Sequence, residues 1–217
     1  YGAVLGTLPF LTPPRHSGNV WSRYMTVESL VERGTLAIER SPLLKISGSP
    51  DLIKIGPHLY SDKPPVLSAA AAVVYLPLAA AGPRFTPQSF GLVNGVLVTA
   101  FVGVGSALAI VGLRRLLQTA DVRPIAADAL ALAFGFTSQL LTYGVTFNNH
   151  SVAAGLITMA LALVVLEGDR PARGRWFAAG LLAGLAATVD LPAGGALVAV
   201  LGAWLAVRGR AVAVGFL

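Results

Sequence analysis

The fold is decided by the stretch that runs from residue 91 to residue 113, GLVNGVLVTAFVGVGSALAIVGL. It carries no charged residue, and as a helix it is long enough to cross the roughly 30 Å hydrocarbon core of a bilayer. Of the 217 residues in the chain, 55% are hydrophobic and only 12% are charged, whereas a soluble domain carries about 25% charged residues. This composition excludes a disordered chain, a collagen, a coiled coil and an ordinary soluble enzyme, and it predicts an integral membrane protein.

Further apolar runs lie on both sides of that stretch. We predict an all-α, polytopic helical membrane protein in which residues 1–14 end a transmembrane helix, 15–65 form a long extramembrane loop and 66–217 form a transmembrane bundle. The predicted segments of the bundle are 66–82, 91–113, 125–147, 151–166, 176–189 and 191–207. Because the chain has no initiator Met and stops inside an apolar run, we expect it to be part of a longer protein whose bundle is incomplete at the C-terminus.

Basic residues cluster in the short breaks between these runs, which is a topology signal because Lys and Arg are retained on the cytoplasmic side. Two crossings are therefore expected between successive clusters, with one turn at Asn148-Asn149-His150 and another at Asp190-Leu191-Pro192, both on the non-cytoplasmic side. The net charge is +6, but no basic stripe or RNA-binding motif accompanies the clusters, so nucleic acid is not a predicted partner. The clusters are Arg114, Arg115 and Arg123, then Arg170, Arg173 and Arg175, then Arg208 and Arg210.

The run from residue 66 to residue 82 is apolar but short, and it contains Pro77. If it spans the membrane, the polar segment 15–65 lies on the cytoplasmic side. If it forms a re-entrant or interfacial helix, that segment lies outside, on the side of the two turns. Charge does not decide between these alternatives, because the orientation bias is unreliable over long loops.

Within the polar segment, Val20, Tyr24, Val27 and Val31 recur at helical spacing. They predict the apolar stripe of an amphipathic helix that stops at Gly34. One interpretation is a helix that lies on the membrane surface. The other is a helix that presents its polar side chains to a site at the interface.

The segment His58-Leu59-Tyr60-Ser61-Asp62-Lys63-Pro64-Pro65 places two charged residues where the chain enters an apolar run. In the structural interpretation, Ser61 or Asp62 caps a helix that starts near Pro64. In the functional interpretation, Lys63 holds a phosphate as a point charge and Asp62 acts as a general base.

Two further candidates lie at the predicted turns. His150 and Asp190 are ionisable groups at or near the membrane, where such groups are functional candidates, although His150 can equally be an ordinary interfacial residue. The three histidines lack the spacing of a zinc site. The absence of cysteine excludes a disulfide, a thiolate metal site and a Cys nucleophile. No cofactor is predicted, and binding of a divalent cation is left open.

Several patches of this sequence resemble one known family. Ser22-Arg23-Tyr24, Glu28-Ser29-Leu30-Val31-Glu32-Arg33-Gly34-Thr35-Leu36 and Tyr60-Ser61-Asp62-Lys63-Pro64-Pro65 are similar to the first external loop of GT-C-type integral membrane glycosyltransferases. The resemblance is to the group that holds the protein O-mannosyltransferases and the lipid A aminoarabinose transferases. The turn Thr146-Phe147-Asn148-Asn149-His150-Ser151 is similar to the end of a later external loop in bacterial members.

The resemblance implies transfer of a sugar from a polyprenyl phosphate donor to a lipid, glycan or protein acceptor, with inversion at the sugar carbon. The reaction would take place on the non-cytoplasmic face of the cell membrane, which puts the loop 15–65 outside and favours a re-entrant helix at 66–82. It implies that Arg23 and Lys63 neutralise the donor phosphate and that Tyr24 helps to shape that pocket. The predicted substrate-binding residues are Arg23, Tyr24, His58, Tyr60, Lys63, Asn149, His150 and Asp190.

The sequence departs from the family at one point. Many relatives carry an acidic residue, or an Asp-Glu pair, just before the Arg-Tyr dipeptide, where it serves as the catalytic base. Here Val20 and Trp21 stand in those positions, with Asn19 before them. We therefore predict Asp62 as the catalytic base; the alternatives are Glu28, Asp51 and a divergent subgroup with a different activity.

Two other classes of protein compete with a membrane glycosyltransferase. In a transporter or flippase, Asp128, His150 and Asp190 would line a pathway through the bilayer. In a structural or assembly subunit, Arg23 and Lys63 would serve complex formation instead of chemistry. The predicted partners are membrane lipid and a polyprenyl phosphate sugar, and no protein partner can be named from the sequence.

Overall fold

The computed structural model of this chain describes residues 17–47, 51–165 and 173–208. The helix end predicted at residues 1–14 and the C-terminal apolar run lie outside the described residues. The described residues are mostly helical. They divide into an N-terminal unit, residues 17–102 with 143–148, and a C-terminal unit, residues 103–142 with 149–208. Each unit is described below by itself.

The N-terminal unit begins with helix α1, Gly18–Arg33. It ends where predicted, because Gly34 adopts the left-handed conformation, with φ of 65°, and its N–H donates to the carbonyl of Leu30 at 3.1 Å. Glycine takes that conformation without the steric cost that a side chain imposes. The chain then forms the short helix α2, Pro42–Ser47.

A β hairpin follows, and the sequence analysis did not predict it. Strand β1, Leu52–Ile55, pairs antiparallel with β2, His58–Ser61, and Ile55 lies opposite His58. The turn contains Gly56 with φ of 60°. The amide of Ile38 donates to the carbonyl of Leu59 at 2.8 Å, which attaches the segment after α1 to the hairpin. The predicted all-α fold is therefore correct for most of the chain but not for residues 52–61.

Helices α3, Pro65–Ala80, and α4, Phe90–Leu97, complete the N-terminal unit. α3 packs against α1.

Burial of α1 is not confined to the predicted apolar stripe, since Glu28 and Ser29, which lie off that stripe, are also fully buried. A helix lying flat on a membrane would leave its polar face in water, whereas Glu28 and Ser29 of α1 are shielded from water.

The C-terminal unit is built from helices alone in its described part. They are α5, Val104–Thr119; α6, Pro124–Thr137; α7, Gln139–Tyr143; α8, His150–Val165; α9, Arg173–Val189; and α10, Leu191–Arg208. A π-helical segment, Val98–Gly103, joins α4 to α5. The predicted break at Asp190 and the predicted turn before His150 both occur. The predicted segment 125–147 is not one continuous helix, because Ser138 is extended between α6 and α7.

Close packing in the C-terminal unit depends on small residues. A Cβ built on Gly105 of α5 would lie 2.7 Å from the carbonyl oxygen of Ser151 and from Cα of Val152, both on α8. One hydrophobic cluster joins α8, α9 and α10 through the buried residues Ala160, Val164, Trp176, Ala179, Ala183, Leu197 and Leu201. Small side chains let helix backbones approach one another, which is the usual basis of helix packing in membranes.

One helix among the described residues is long and apolar enough to cross a membrane. It runs without interruption from Phe90 to Thr119, over 30 residues, and includes α4, the π-helical segment and α5. The other apolar stretches of helix are shorter, with 10–17 residues each, and that of α10 runs from Leu191 to Trp204.

Candidate functional site

The best-supported candidate site lies in the N-terminal unit, where the chain passes from β2 into α3. Lys63 stands at this junction, with its Nζ atom 2.9 Å from Oδ2 of Asp62 and 3.8 Å from Oδ1 of Asp51. Its side chain is 22% exposed, so solvent still reaches the ammonium group. Asp51 comes to this position because β1 and β2 pair, which brings the residues at the two ends of the hairpin together.

A chain of hydrogen bonds links Lys63 to the segment around Arg23. The amide of Lys63 donates to Oγ of Ser61 at 3.2 Å, and the Ser61 hydroxyl donates to Oγ of Ser22 at 3.0 Å. The Ser22 hydroxyl in turn donates to the carbonyl of Asn19 at 3.2 Å, which also accepts a hydrogen bond from Nη1 of Arg23 at 3.2 Å. The backbone amide of Lys63 and the guanidinium of Arg23 are thus connected through three residues.

A pocket of about 110 Å³ opens beside this chain of hydrogen bonds. We call it the Lys63 pocket. Its lining mixes one cation, two hydroxyl-bearing side chains, a tyrosine and apolar groups, and its size suits a small charged or polar group. The lining residues are Thr26, Leu36, Tyr60, Ser61, Lys63 and Pro65.

The structural capping role considered for Ser61 and Asp62 is wrong. Pro64 holds the N-cap position of α3, the helix begins at Pro65, and no side chain caps it. The Ser61 hydroxyl instead accepts from the amide of Lys63, so it fixes the backbone of the residue that carries the candidate phosphate-binding cation.

Tyr24 lies behind the site in a cluster of aromatic rings. It is fully buried and stacks on Phe147, with ring centroids 5.2 Å apart and an interplanar angle of 14°. Its hydroxyl donates to Oδ1 of Asn94 at 2.6 Å. Burial raises the pKa of this hydroxyl well above its ordinary value, so the group stays a neutral hydrogen-bond donor. Tyr24 therefore supports α1 from within the core.

Glu28, one of the alternative bases, is engaged elsewhere. Its carboxylate forms a two-point ion pair with the guanidinium of Arg33, and Glu28 is 1% exposed. This hydrogen bond raises the pKa of Arg33. A buried carboxylate held on both oxygens is poorly placed to accept a proton from a substrate, whereas Asp62 and Asp51 lie beside Lys63 near the surface.

His58 lies on the same strand as Tyr60, and their rings are 6.3 Å apart. Its Nδ1 atom is 2.7 Å from Oε1 of Glu39, whose other oxygen accepts from the amide of Leu59 at 3.2 Å. The hydrogen bond from His58 is the main cause that lowers the pKa of Glu39 to about 2. The Glu39 carboxylate is therefore ionised at neutral pH and holds the imidazole in place.

The remaining predicted residues form a group within the C-terminal unit. Oδ2 of Asp190 accepts hydrogen bonds from Nδ2 of Asn149 at 3.1 Å and from the imidazole of His150, whose Nδ1 lies 2.7 Å away. Asp190 is 7% exposed, whereas the His150 side chain is 61% exposed. The break between α9 and α10 positions the acid: its amide donates to Ala186 and its carbonyl accepts from Gly194.

The predicted residues thus occur in both units. In the N-terminal unit, Tyr60 and Lys63 line the Lys63 pocket, whereas Arg23 and Tyr24 are buried and do not line it. The sequence analysis missed the roles of Ser22 and Asn94, and it named Asp51 as an alternative base without its contact to Lys63. A hairpin signal at Gly56 would have indicated that contact, but no local pattern indicates the pairing of Tyr24 with Asn94, which are 70 positions apart. Among the described residues, no group of three or more His, Asp or Glu side chains is arranged to hold a metal ion.

We compared the chain with protein-family models, with curated proteins and with solved structures. None of the three comparisons found a match.

Proposed function

We propose that this protein is an integral membrane glycosyltransferase that moves a sugar from a polyprenyl phosphate donor to a lipid, glycan or protein acceptor on the non-cytoplasmic face of the cell membrane. The observation that carries the proposal is the hydrogen-bonded connection from Lys63 through Ser61 and Ser22 to the carbonyl that Arg23 also binds. It joins two sequence patches that resemble one glycosyltransferase loop, and it does so beside a pocket.

In the proposed reaction, the acceptor hydroxyl oxygen attacks the anomeric carbon and forms the new C–O bond. The bond between that carbon and the donor phosphate oxygen breaks, and polyprenyl phosphate leaves with the electron pair. The carboxylate of Asp62 takes the proton of the hydroxyl. Lys63 stabilises the negative charge that grows on the phosphate, because a fixed cation near a leaving group lowers the barrier for its departure.

When the donor binds, the Lys63 ammonium can exchange its carboxylate partners for the donor phosphate. In the structure its ammonium is shared between Asp62 and Asp51. A phosphate that enters the Lys63 pocket would draw the ammonium away, and this would leave Asp62 with a free oxygen lone pair for the acceptor proton. The same two carboxylates would disfavour binding of an anion that does not reach Lys63, since like charges repel.

Exposed apolar side chains support the membrane location. Phe177, Leu181 and Leu185 lie on one face of α9 at i, i+4 and i+8, and they are 65%, 54% and 40% exposed. Apolar side chains this exposed on one helix face are typical of surfaces that contact lipid. We propose that the shorter apolar helices, together with the long helix Phe90–Thr119, form a multi-pass bundle.

The test is sugar transfer by the purified protein in nanodiscs, supplied with a radiolabelled polyprenyl phosphate sugar. We expect Asp62→Asn to lower kcat by about 100-fold or more, as loss of a general base does. We expect Lys63→Ala to lower kcat/KM for the donor by about 100-fold. Matched controls are Asp121→Asn and Lys54→Ala, which remove the same charges from exposed positions. Equal turnover in Asp62→Asn, Lys63→Ala and both controls would contradict the assignment of the site.

A second candidate function is a transporter or flippase, and the group around Asp190 favours it. A buried carboxylate at a helix break, bonded to a histidine, is typical of ion and proton pathways in membranes. In proteoliposomes, a flippase would move a fluorescent polyprenyl phosphate sugar between leaflets without cleaving it, and Asp190→Asn would stop this movement. Asp121→Asn is the control, because Asn tolerates the left-handed conformation of Asp121, with φ of 57°. Release of polyprenyl phosphate in this assay would favour the transferase.

A further inference from the structure

A second pocket, of about 390 Å³, lies in the N-terminal unit beside the end of α1. We call it the Arg40 pocket. Its walls are well fixed: Thr35 is bonded through its amide to the carbonyl of Ser29, and its hydroxyl accepts from the amide of Ala37 at 3.1 Å. The lining residues are Arg33, Thr35, Ala37, Glu39, Arg40 and His58.

The charged side chains of this pocket have hydrogen-bond partners, with one exception. Arg33 is bound by Glu28, and both oxygens of Glu39 are engaged, one with His58 and one with the amide of Leu59. Arg40 is exposed and forms no ion pair among residues 17–47, 51–165 and 173–208. Its guanidinium therefore presents donors that the described part of the chain does not use.

The two pockets are neighbours within the N-terminal unit. The segment after α1 lies between them, because Leu36 lines the Lys63 pocket while Thr35 and Ala37 line the Arg40 pocket. On β2, Tyr60 lines the first pocket and His58 lines the second. The two residues share one face of the strand, and their ring centroids are 6.3 Å apart. A substrate held in one pocket is thus close to a substrate held in the other.

We propose that the Arg40 pocket binds an oxyanion, a phosphate or a carboxylate, that the acceptor carries. This inference rests on the proposed function, which supplies the acceptor. An arginine presents a planar fork of donors that matches two oxygens of such a group. The Glu39 carboxylate opposes an anion in this pocket, so the proposed ligand is one whose oxygens reach the guanidinium of Arg40. The acceptor is then an acidic glycolipid or sugar, and a neutral one is a poorer substrate.

The experiment compares two acceptors that differ only at C6, octyl glucuronide with a carboxylate and octyl glucoside with a hydroxymethyl group, with the purified protein in nanodiscs. We expect the ratio of their kcat/KM values to favour the glucuronide, and we expect Arg40→Gln to lower this ratio by about tenfold, as loss of one charge-assisted hydrogen bond does. Lys54→Gln is the matched control, because Lys54 is an exposed cation on β1 that lines neither pocket, and it should leave the ratio unchanged. Methyl glucuronide and methyl glucoside form a second arm, since a preference kept without the octyl chain indicates a soluble acceptor.

Direct binding of the same four compounds, measured by calorimetry, separates the two hypotheses. If the protein binds glucuronides more tightly, loses that preference in Arg40→Gln and transfers no sugar to any acceptor, the anion pocket stands and the proposed function is wrong. If sugar is transferred but the wild type shows no preference for the charged acceptor, the anion pocket is wrong and the proposed function stands. A preference that Arg40→Gln and Lys54→Gln reduce equally would also overturn the pocket, because it would then reflect overall charge.

Discussion

The hydroxyl of Ser61 donates a hydrogen bond to the hydroxyl of Ser22 at 3.0 Å, and this contact joins β2 to α1 across 39 positions of the chain. Ser22 is fully buried and Ser61 is half-buried. Ser22 is followed by Arg23, and Ser61 is followed by Asp62 and Lys63. The contact therefore sets where the backbone that bears Lys63 lies relative to the backbone that bears Arg23.

We predict that Ser22 and Ser61 are energetically coupled. Ser22→Ala and Ser61→Ala should each lower the free energy of unfolding by about 1 kcal/mol, and the double variant should lose less than the sum, with a coupling of about 0.5–1.5 kcal/mol. The measurement is a double-mutant cycle by chemical unfolding in detergent micelles. Strictly additive losses would mean that the two hydroxyls do not interact.

Two ion pairs of α1 should differ sharply in their contribution to stability. Glu28→Gln leaves the mostly buried guanidinium of Arg33 without its counter-ion, and loss of one partner from a buried pair costs about 3–5 kcal/mol. Arg84 is 54% exposed where it pairs with Glu32, and an exposed pair contributes about 0–1 kcal/mol. Thermal unfolding of Glu28→Gln and Arg84→Gln under the same conditions tests the contrast, and similar losses in both variants would contradict it.

Local patterns were enough to locate several features of the fold. The apolar stripe and Gly34 predicted α1 and its end, and Asp190 followed by Pro192 predicted the break between α9 and α10, because proline disfavours helix in the preceding residue. The same short-range reasoning selected Asp62 and Lys63, whose contact joins neighbours in sequence. Such features depend on a few adjacent residues.

Several features that depend on distant residues were not predicted. The strands of the hairpin are four residues each, too short for a clear alternation, and only their pairing brings Asp51 to Lys63. The stripe of α1 indicated one buried face, but the partners that allow Glu28 to be buried come from the helix end. A pattern along one helix does not reveal which polar groups find partners once the chain is folded.

Packing of α5 on α8 should not tolerate a methyl group at Gly105. Its Cβ would lie 2.7 Å from two backbone atoms of α8, and backbone cannot move as a flexible side chain can, so Gly105→Ala should lower the free energy of unfolding by about 1–3 kcal/mol. Gly184→Ala is the matched control, because Gly184 lies inside α9 with nothing within 4 Å of the added Cβ. That variant should gain about 0.5–1 kcal/mol from the better helix former. Losses of equal size in the two variants would show that helix propensity decides the effect and that close approach does not.

The Glu39–His58 contact should make the N-terminal unit sensitive to acid. Hydrogen bonding to His58 lowers the pKa of Glu39 from 4.5 to about 2 in the folded protein. A carboxyl whose folded pKa is depressed contributes stability that is fully present above its unfolded pKa, and that stability is lost as the pH falls from 4.5 towards 2. We expect the unfolding temperature of the wild type to fall more steeply between these two pH values than that of Glu39→Gln, which has no carboxyl to protonate there. His58→Gln tests the cause, because it removes the hydrogen-bonding imidazole and should flatten the same part of the curve. A slope that is unchanged in both variants would assign the acid sensitivity to other carboxyl groups.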